Sequence, residues 1–244
     1  MAEYVYGRNT VLTKLRVPGV VLRLYLSSNV KDIVDLAQKH KIDIEWTNNA
    51  YLSSLVKGSH QGVVALVNDY CYYDLDSFLN SLDMRTNPLV VLCDGLEDPH
   101  NLGAILRTCE ACGVSGVIIG KNRQVQVTDT VAKVAQGAVD LVKIVRVTNL
   151  VNTIKKMKSK GFWIVGADNC ESVDYRTVPS DRPLVVIVGS EGKGISRLVL
   201  DECDYRVKIF MLGQINSLNV SVATGILLYS IVEKRIDING EICQ

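Results

Sequence analysis

Three short segments carry side chains whose types and spacing suit chemistry. The first reads Asp94-Gly-Leu-Glu-Asp-Pro-His-Asn101-Leu-Gly103-Ala-Ile-Leu-Arg107-Thr108. It is a turn running into a helical pattern, with Asn101 placed to cap the helix and Arg107 further along it. The second, Val188-Gly189-Ser190-Glu191-Gly192-Lys193-Gly194-Ile195-Ser196, follows the most apolar run of the chain. Its glycines let backbone come close to a ligand. The third, Ser217-Leu218-Asn219-Val220-Ser221-Val222-Ala223, alternates polar and apolar residues before an apolar stretch that lasts to Val232. That stretch is too long for a strand. A loop that brings Ser217 and Asn219 to a site and then opens a buried helix fits better, because free N–H groups at a helix start hold polar ligands.

Several familiar chemistries fail on spacing. A phosphate loop needs four residues between its glycines and a Ser or Thr after the lysine. Here only Ser190 and Glu191 separate Gly189 from Gly192, and Gly194 follows Lys193. No G-x-G-x-x-G follows the first apolar run, which disfavours a nucleotide-dependent dehydrogenase. Cys109-x-x-Cys112 is a single pair in a helical pattern, and a tetrahedral zinc site needs two more soft ligands. These cysteines read as small buried residues, and no metal is called for. His40, His60 and His100 lack metal-ligand spacing. His60 reads as a solvated loop histidine and the lysine run at 155–160 as a solvated helix end; RNA contact is the alternative for both.

The elements that must position these segments are legible from residue 89 onward. Apolar runs at 89–93, 116–119, 142–147, 162–165, 184–188 and 205–209 alternate with helical patterns at 102–112, 131–139, 150–160, 196–203 and from about 218. Such alternation predicts an α/β fold with a parallel sheet buried on both faces. Each candidate segment then falls at the carboxyl end of a strand, where ligands of such sheets bind. Residues 1–70 form a smaller α/β pattern, with strands at 20–27, 43–46 and 62–68 and a helix at 30–40. Residues 71–87 read as a part-helical linker, and 88–244 as the larger domain. Composition adds bounds. The seven cysteines are scattered and odd in number, which points to a reducing cytoplasm rather than a disulfide framework. No membrane span or signal peptide is legible. A net charge of +1 requires any electropositive surface to be local.

Taken together, Asn101-x-Gly103-x-x-x-Arg107-Thr108, Gly189-x-Glu191-Gly192-x-Gly194 and 217–223 resemble the three signature motifs of the SpoU (TrmH) family of the SPOUT superfamily. The resemblance covers about residues 88–236. Residues 6–12, 59–64 and 131–138 are similar to the branch that acts on a guanosine of 23S ribosomal RNA, whose N-terminal domain is L30e-like and binds RNA. The resemblance implies methyl transfer from S-adenosylmethionine to a ribose 2′-hydroxyl of RNA, not DNA. It implies catalytic roles for Asn101, Arg107, Glu191, Ser217 and Asn219, and cofactor contacts at Gly189, Glu191, Gly194, Ile209 and Leu218. It also implies a deep trefoil knot in the C-terminal domain and a homodimer whose site draws on both protomers. Phe210 stands where the family has a proline, which removes a rigid residue from that loop. Two other readings stand beside this one: the same chemistry on transfer RNA, and a non-catalytic RNA-binding assembly factor on the same fold.

Overall fold

The computed structural model describes residues 3–16, 20–67, 70–168, 172–214 and 217–239. The chain divides into two compact units, Met1–Cys71 and Tyr72–Gln244.

In the first unit four strands, β1 (Glu3–Tyr6), β2 (Val21–Leu26), β3 (Asp43–Trp46) and β4 (Val63–Val67), lie in the order β1-β4-β2-β3. β2 and β3 are parallel, and the pairings through β4 are antiparallel. Helices α1 (Arg8–Leu15) and α2 (Lys31–Lys39) bury Val11, Leu15, Ile33 and Ala37 on one face. Helix α3 (Asn49–Leu55) sets Leu52 with Tyr25, Val56 and Val64 on the other. β1, α1 and α3 had no clear signal, since short elements that bury only one or two residues carry almost no periodicity. Asn68, expected to end the last strand, lies outside the described residues.

The second unit is built on seven strands: β5 (Leu89–Asp94), β6 (Gly116–Gly120), β7 (Ile144–Val147), β8 (Trp163–Ala167), β9 (Val173–Asp174), β10 (Leu184–Gly189) and β11 (Tyr205–Lys208). Their order is β7-β6-β5-β10-β8-β11-β9, with every pairing parallel. The expected strands are present, shifted by a residue or two at their ends. Five of the six residues of β5 and of β10 are fully buried, because helices cover both faces. From β5 the chain moves outward through β6 to β7, whereas β10 lies on the other side of β5. The carboxyl ends of β5 and β10 therefore diverge around a crevice.

The expected linker is a correction. Helix α4 (Leu75–Asn80) buries Phe78 and Leu79 in the main core beside Val90 and Val145, and Tyr73 pairs with Val145 at the sheet edge. Asp74 accepts from Ser77 N and caps α4. The part-helical character expected there is this short amphipathic turn, which burial of Phe78 docks on the sheet. Gly116 of β6 makes room for it, since a Cβ there would lie 2.6 Å from the Phe78 ring.

Helices α5 (Pro99–Ala111), α6 (Asp129–Ala135), α7 (Ala138–Leu141), α8 (Leu150–Ser159), α9 (Arg197–Leu200) and α10 (Val220–Asn239) complete the unit. The helix expected at 131–139 breaks in two, because Gln136 and Gly137 both take positive φ and end α6. Gly103 lets α5 and α6 touch: a Cβ on it would lie 2.7 Å from Val134 Cβ and 3.0 Å from Val131 O. Gly103→Ala should therefore cost about 1–3 kcal/mol by overpacking. At ~2–4 °C per kcal/mol in a chain of this size, a clear fall in Tm is expected in a thermal melt.

Burial also decides the cysteine pair. Cys109 is fully buried and its thiol is pushed well above the usual range by desolvation, while Cys112 is raised to about 11. Both stay protonated and inert at neutral pH. Among the described residues no cluster of His, Cys, Asp and Glu is arranged to hold a metal, and no helix is long and apolar enough to cross a membrane.

Candidate active site

The loop after β5 is fixed at both ends by carboxylates. Asp94 Oδ2 accepts from Ser196 N at 2.7 Å, tying the end of β5 to the start of α9. Asp98 caps α5 by accepting from His100 N at 2.8 Å, with Pro99 at the first helical position. Asn101 was expected to be the cap; Asp98 takes that role because Pro99 has no N–H and pre-sets the helical φ. Asn101 instead sits in the first turn, 5% exposed, with its carboxamide free to reach across.

The loop after β10 closes on itself. Ser190 N donates to Gly194 O at 3.1 Å and Gly194 N to Ser190 O at 2.9 Å. Gly192 and Gly194 take φ of 86° and 66°, the left-handed region that glycine occupies without strain. The returning strand passes directly over Gly189, where a Cβ would lie 2.0 Å from Gly194 C. This turn holds Glu191 at its outer edge.

The third segment behaves as expected. Asn219 caps α10: its Oδ1 accepts from Ser221 N at 2.9 Å, Val222 N at 3.4 Å and Ser221 Oγ at 2.6 Å. Its Nδ2 points away from the helix and donates to Glu191 Oε1 at 2.8 Å and to Asn101 Oδ1 at 2.9 Å. Asn101 Nδ2 donates to the same Glu191 oxygen at 2.9 Å. The three segments, far apart in sequence, thus close into a triangle of side chains around one carboxylate oxygen. Charge-assisted bonds of this kind are about twice as strong as neutral ones.

Two members of the triangle, Glu191 and Asn219, form part of the wall of a cleft of about 730 Å³ at the carboxyl ends of β8, β10 and β11. Its lining includes Gly189, Glu191, Gly194, Ile209, Ser217, Leu218 and Asn219. Apolar contact comes from Ala167, Val188, Val207, Met211 and Leu227. Every residue expected to meet a cofactor is therefore in one place. Ser217 lines the cleft but is not part of the triangle. Phe210 is 53% exposed, with Lys208 Nζ 5.6 Å from its ring centroid, and Ile209 and Met211 on either side of it line the cleft.

Arg107 stands apart from the triangle within one chain, where Asn101, Glu191 and Asn219 hold each other. Arg107 is exposed and has no hydrogen bond or ion pair among the described residues. Six residues beyond Asn101 on one helix, it lies about 9 Å along the axis and on a different flank.

Other candidates resolve locally. His60 Nδ1 accepts from Gly62 N at 3.1 Å, which makes Nε2 the protonated nitrogen facing Ser53 Oγ at 3.1 Å. It is a bracket for the turn before β4, not a merely solvated side chain. Lys155 pairs with Glu202, Lys156 with Asp76 and Lys158 with Asp204, so most of the lysine run is tied to carboxylates. Sequence reasoning missed the tie at Asp94, the cap at Asp98, and Asp168 and Lys193 on the lining of the cleft. Asp98-Pro99 was a readable cap signature; the other three are recognisable only once the loops are folded.

Residues 88–229 match the SpoU rRNA Methylase family, and residues 4–73 match the domain described as RNA 2′-O ribose methyltransferase substrate binding. The chain is 40% identical over 239 residues to YacO of Bacillus subtilis (strain 168), whose name places it among TrmH family tRNA/rRNA methyltransferases; 96% of each chain is covered. A relative of the same designation in Staphylococcus aureus (strain COL) is 43% identical over 244 residues, covering 98% of each. The solved SpoU methyltransferase AviRb from Streptomyces viridochromogenes, in complex with the cofactor AdoMet, superposes with a TM-score of 0.78. It is 24% identical, over 96% of this chain and 90% of that one, and at that identity the match speaks for the fold. With its three loops closed by Asn101, Glu191 and Asn219 over one cleft, the chain belongs to the SpoU family and is an RNA methyltransferase.

Proposed function

We propose that the protein transfers a methyl group from S-adenosylmethionine to a ribose 2′-hydroxyl, with a guanosine of 23S ribosomal RNA as target. The observation that carries this reading is the triangle on the wall of the cleft. It spends two asparagines and a glutamate on joining three loops at the carboxyl ends of the strands. S-adenosylmethionine, the methyl donor of this family, carries a methyl already activated on sulfonium. The residues present suit it: bare glycine backbone at Gly189 and Gly194, apolar contact at Val207 and Leu227, and a volume within the ~300–1,000 Å³ usual for such ligands. Gly189, Ile209 and Leu218 hold the adenosine part through their backbone, and Glu191 and Gly194 border it.

The protein's task is to align a weak nucleophile and manage one proton, and alignment alone is worth about 7–11 kcal/mol in favourable cases. Arg107 is the principal catalytic residue. Guanidinium groups are not deprotonated in proteins, so it is no general base. It clamps the phosphate beside the target ribose in fork geometry and stabilises the alkoxide as the O–CH₃ bond forms and the C–S bond breaks; the hydroxyl proton leaves to that phosphate. Ser217 and Asn219 orient the hydroxyl, and Asn101 and Glu191 hold Asn219.

A homodimer belongs to the same proposal. Arg107 stands exposed on α5, and Val222 and Tyr229, 51% and 48% exposed, lie seven residues apart on the adjoining α10. A second copy seated there brings Arg107 of one protomer to the cleft of the other. The trefoil threading is supported by the strand order β10-β8-β11 and by the return of the chain after β11 to the loop after β10. The substrate-binding unit, L30e-like, holds the RNA in the cytoplasm, where the reducing conditions suit the free thiols.

Transfer RNA is the second substrate reading, since the designation of the relatives names both tRNA and rRNA. Incubation of the protein with methyl-labelled S-adenosylmethionine and either 23S transcripts or bulk transfer RNA separates the two, with primer extension to map the product. Label confined to transfer RNA would overturn the ribosomal target. A silent assembly factor would bind no S-adenosylmethionine in a calorimetric titration.

A further inference from the structure

We propose that residues 121–127, the loop between β6 and α6, grip the RNA backbone beside the reacting nucleotide. Lys121 and Arg123 make the phosphate contacts, and Gln124 and Gln126 are positioning residues behind them. The inference rests on the reading above, that RNA is the substrate of this cleft.

The loop is held from several sides. Val125 N donates to Leu96 O at 2.7 Å, which ties the loop to the segment that leads into α5 and Asn101. Lys121 N donates to Val147 O at 2.8 Å and Val127 N to Tyr72 Oη at 2.9 Å. Inside, Gln124 Oε1 accepts from Gly120 N at 3.1 Å. Gln126 Nε2 donates to Gly120 O at 2.9 Å and to Gln124 O at 3.0 Å. The brace leaves buried Gln124 Nε2 and Gln126 Oε1 without protein partners. Leucines would avoid that cost, so the carboxamides are there for the backbone groups they hold. What they hold is an exposed tip, Lys121-Asn122-Arg123, with Arg123 at φ +55°, a region that non-glycine residues enter rarely and chiefly where surroundings impose it.

Charge marks the same tip. Lys155, Lys158, Arg176, Arg182 and Arg206 of this unit face carboxylates. Lys121 and Arg123 have no ion pair among the described residues. A chain of net charge +1 thus keeps uncompensated positive charge at the carboxyl end of β6, next to the segment that leads into α5 and Asn101. Polyanion binding needs that local excess, and a rigid tip loses less entropy on contact.

The test is the salt dependence of binding to a labelled, mixed-sequence RNA hairpin. Each phosphate contact contributes about 0.7–0.9 to the slope of log K against log salt. Lys121→Ala with Arg123→Ala should make that slope shallower by roughly 1.4–1.8. Lys160→Ala, removing an unpaired cation at the opposite end of the sheet, should leave it unchanged. Gln126→Leu should raise KM for RNA with kcat and S-adenosylmethionine affinity unchanged, a split that a merely structural glutamine would not give. An unchanged slope in the double variant, or an equal loss from Lys160→Ala, overturns the proposal. Failure of the unmodified protein to methylate any RNA would instead sink the underlying reading.

Discussion

Gly189→Ala should abolish binding of S-adenosylmethionine and, with it, methyl transfer. The added Cβ would sit 2.0 Å from Gly194 C, 2.2 Å from Gly194 O and 2.3 Å from Ile195 N. These are backbone atoms, so no side-chain rotation relieves the clash. The turn at residues 190–194 has to open, which breaks the paired bonds between Ser190 and Gly194 and carries Glu191 away from Asn101 and Asn219. Overpacking of this kind costs about 1–3 kcal/mol or more, so a lower Tm accompanies the loss in calorimetry. Gly194→Ala supplies the control. Its Cβ meets nothing within 4 Å, and only the strain of φ +66° remains, about 1–2 kcal/mol. The second variant should keep measurable affinity where the first has none. Equal behaviour of the two would refute the close approach at Gly189 as the basis of the site.

Arg107→Lys should behave in the opposite way, folding normally and failing in turnover. Arg107 is exposed and has no partner among the described residues, so Tm should hold within a degree or so, since surface changes away from special features stay within about ±0.5 kcal/mol. Affinity for S-adenosylmethionine should hold as well, because Arg107 is not among the residues lining the cleft. Turnover is another matter. Lysine keeps the charge but loses the planar fork that grips two phosphate oxygens at once, and removing one such donor to a developing oxyanion costs about 10²–10³ in kcat. Single-turnover methylation measures this directly. Near-normal turnover in the lysine variant would rule out the fork. If the dimer is correct, a mixture of Arg107→Lys and Asn219→Ala protomers should recover part of the activity, since half of the sites in a mixed dimer receive both intact residues.

The central strands were readable because burial on both faces leaves long runs of Val, Ile and Leu, as in β5 and β10. Two-residue β9 left no such trace, since an element that short shows no period, and the helical pattern at 196–203 shortens to four-residue α9. Phe78 and Leu79 were visible as a small apolar pair, but only the folded sheet edge reveals that they dock. Of the site, the residue types were legible and their partners were not. Nothing in the periodicity of 217–223 says that Asn219 divides its carboxamide between capping α10 and bridging to Asn101 and Glu191. The separation of Asn101 from Arg107 was readable in principle, since six residues along a helix cannot share one face. The resemblance to the family named both residues, and naming both invited placing them together.

Alkaline hydrolysis of RNA labelled by the protein tests most directly whether the methyl group arrives at ribose oxygen. A 2′-O-methyl group blocks attack on the adjacent phosphodiester. The label is therefore predicted to survive in alkali-stable dinucleotides. Recovery of the label in mononucleotides, as a base methyl would give, would contradict the proposed chemistry.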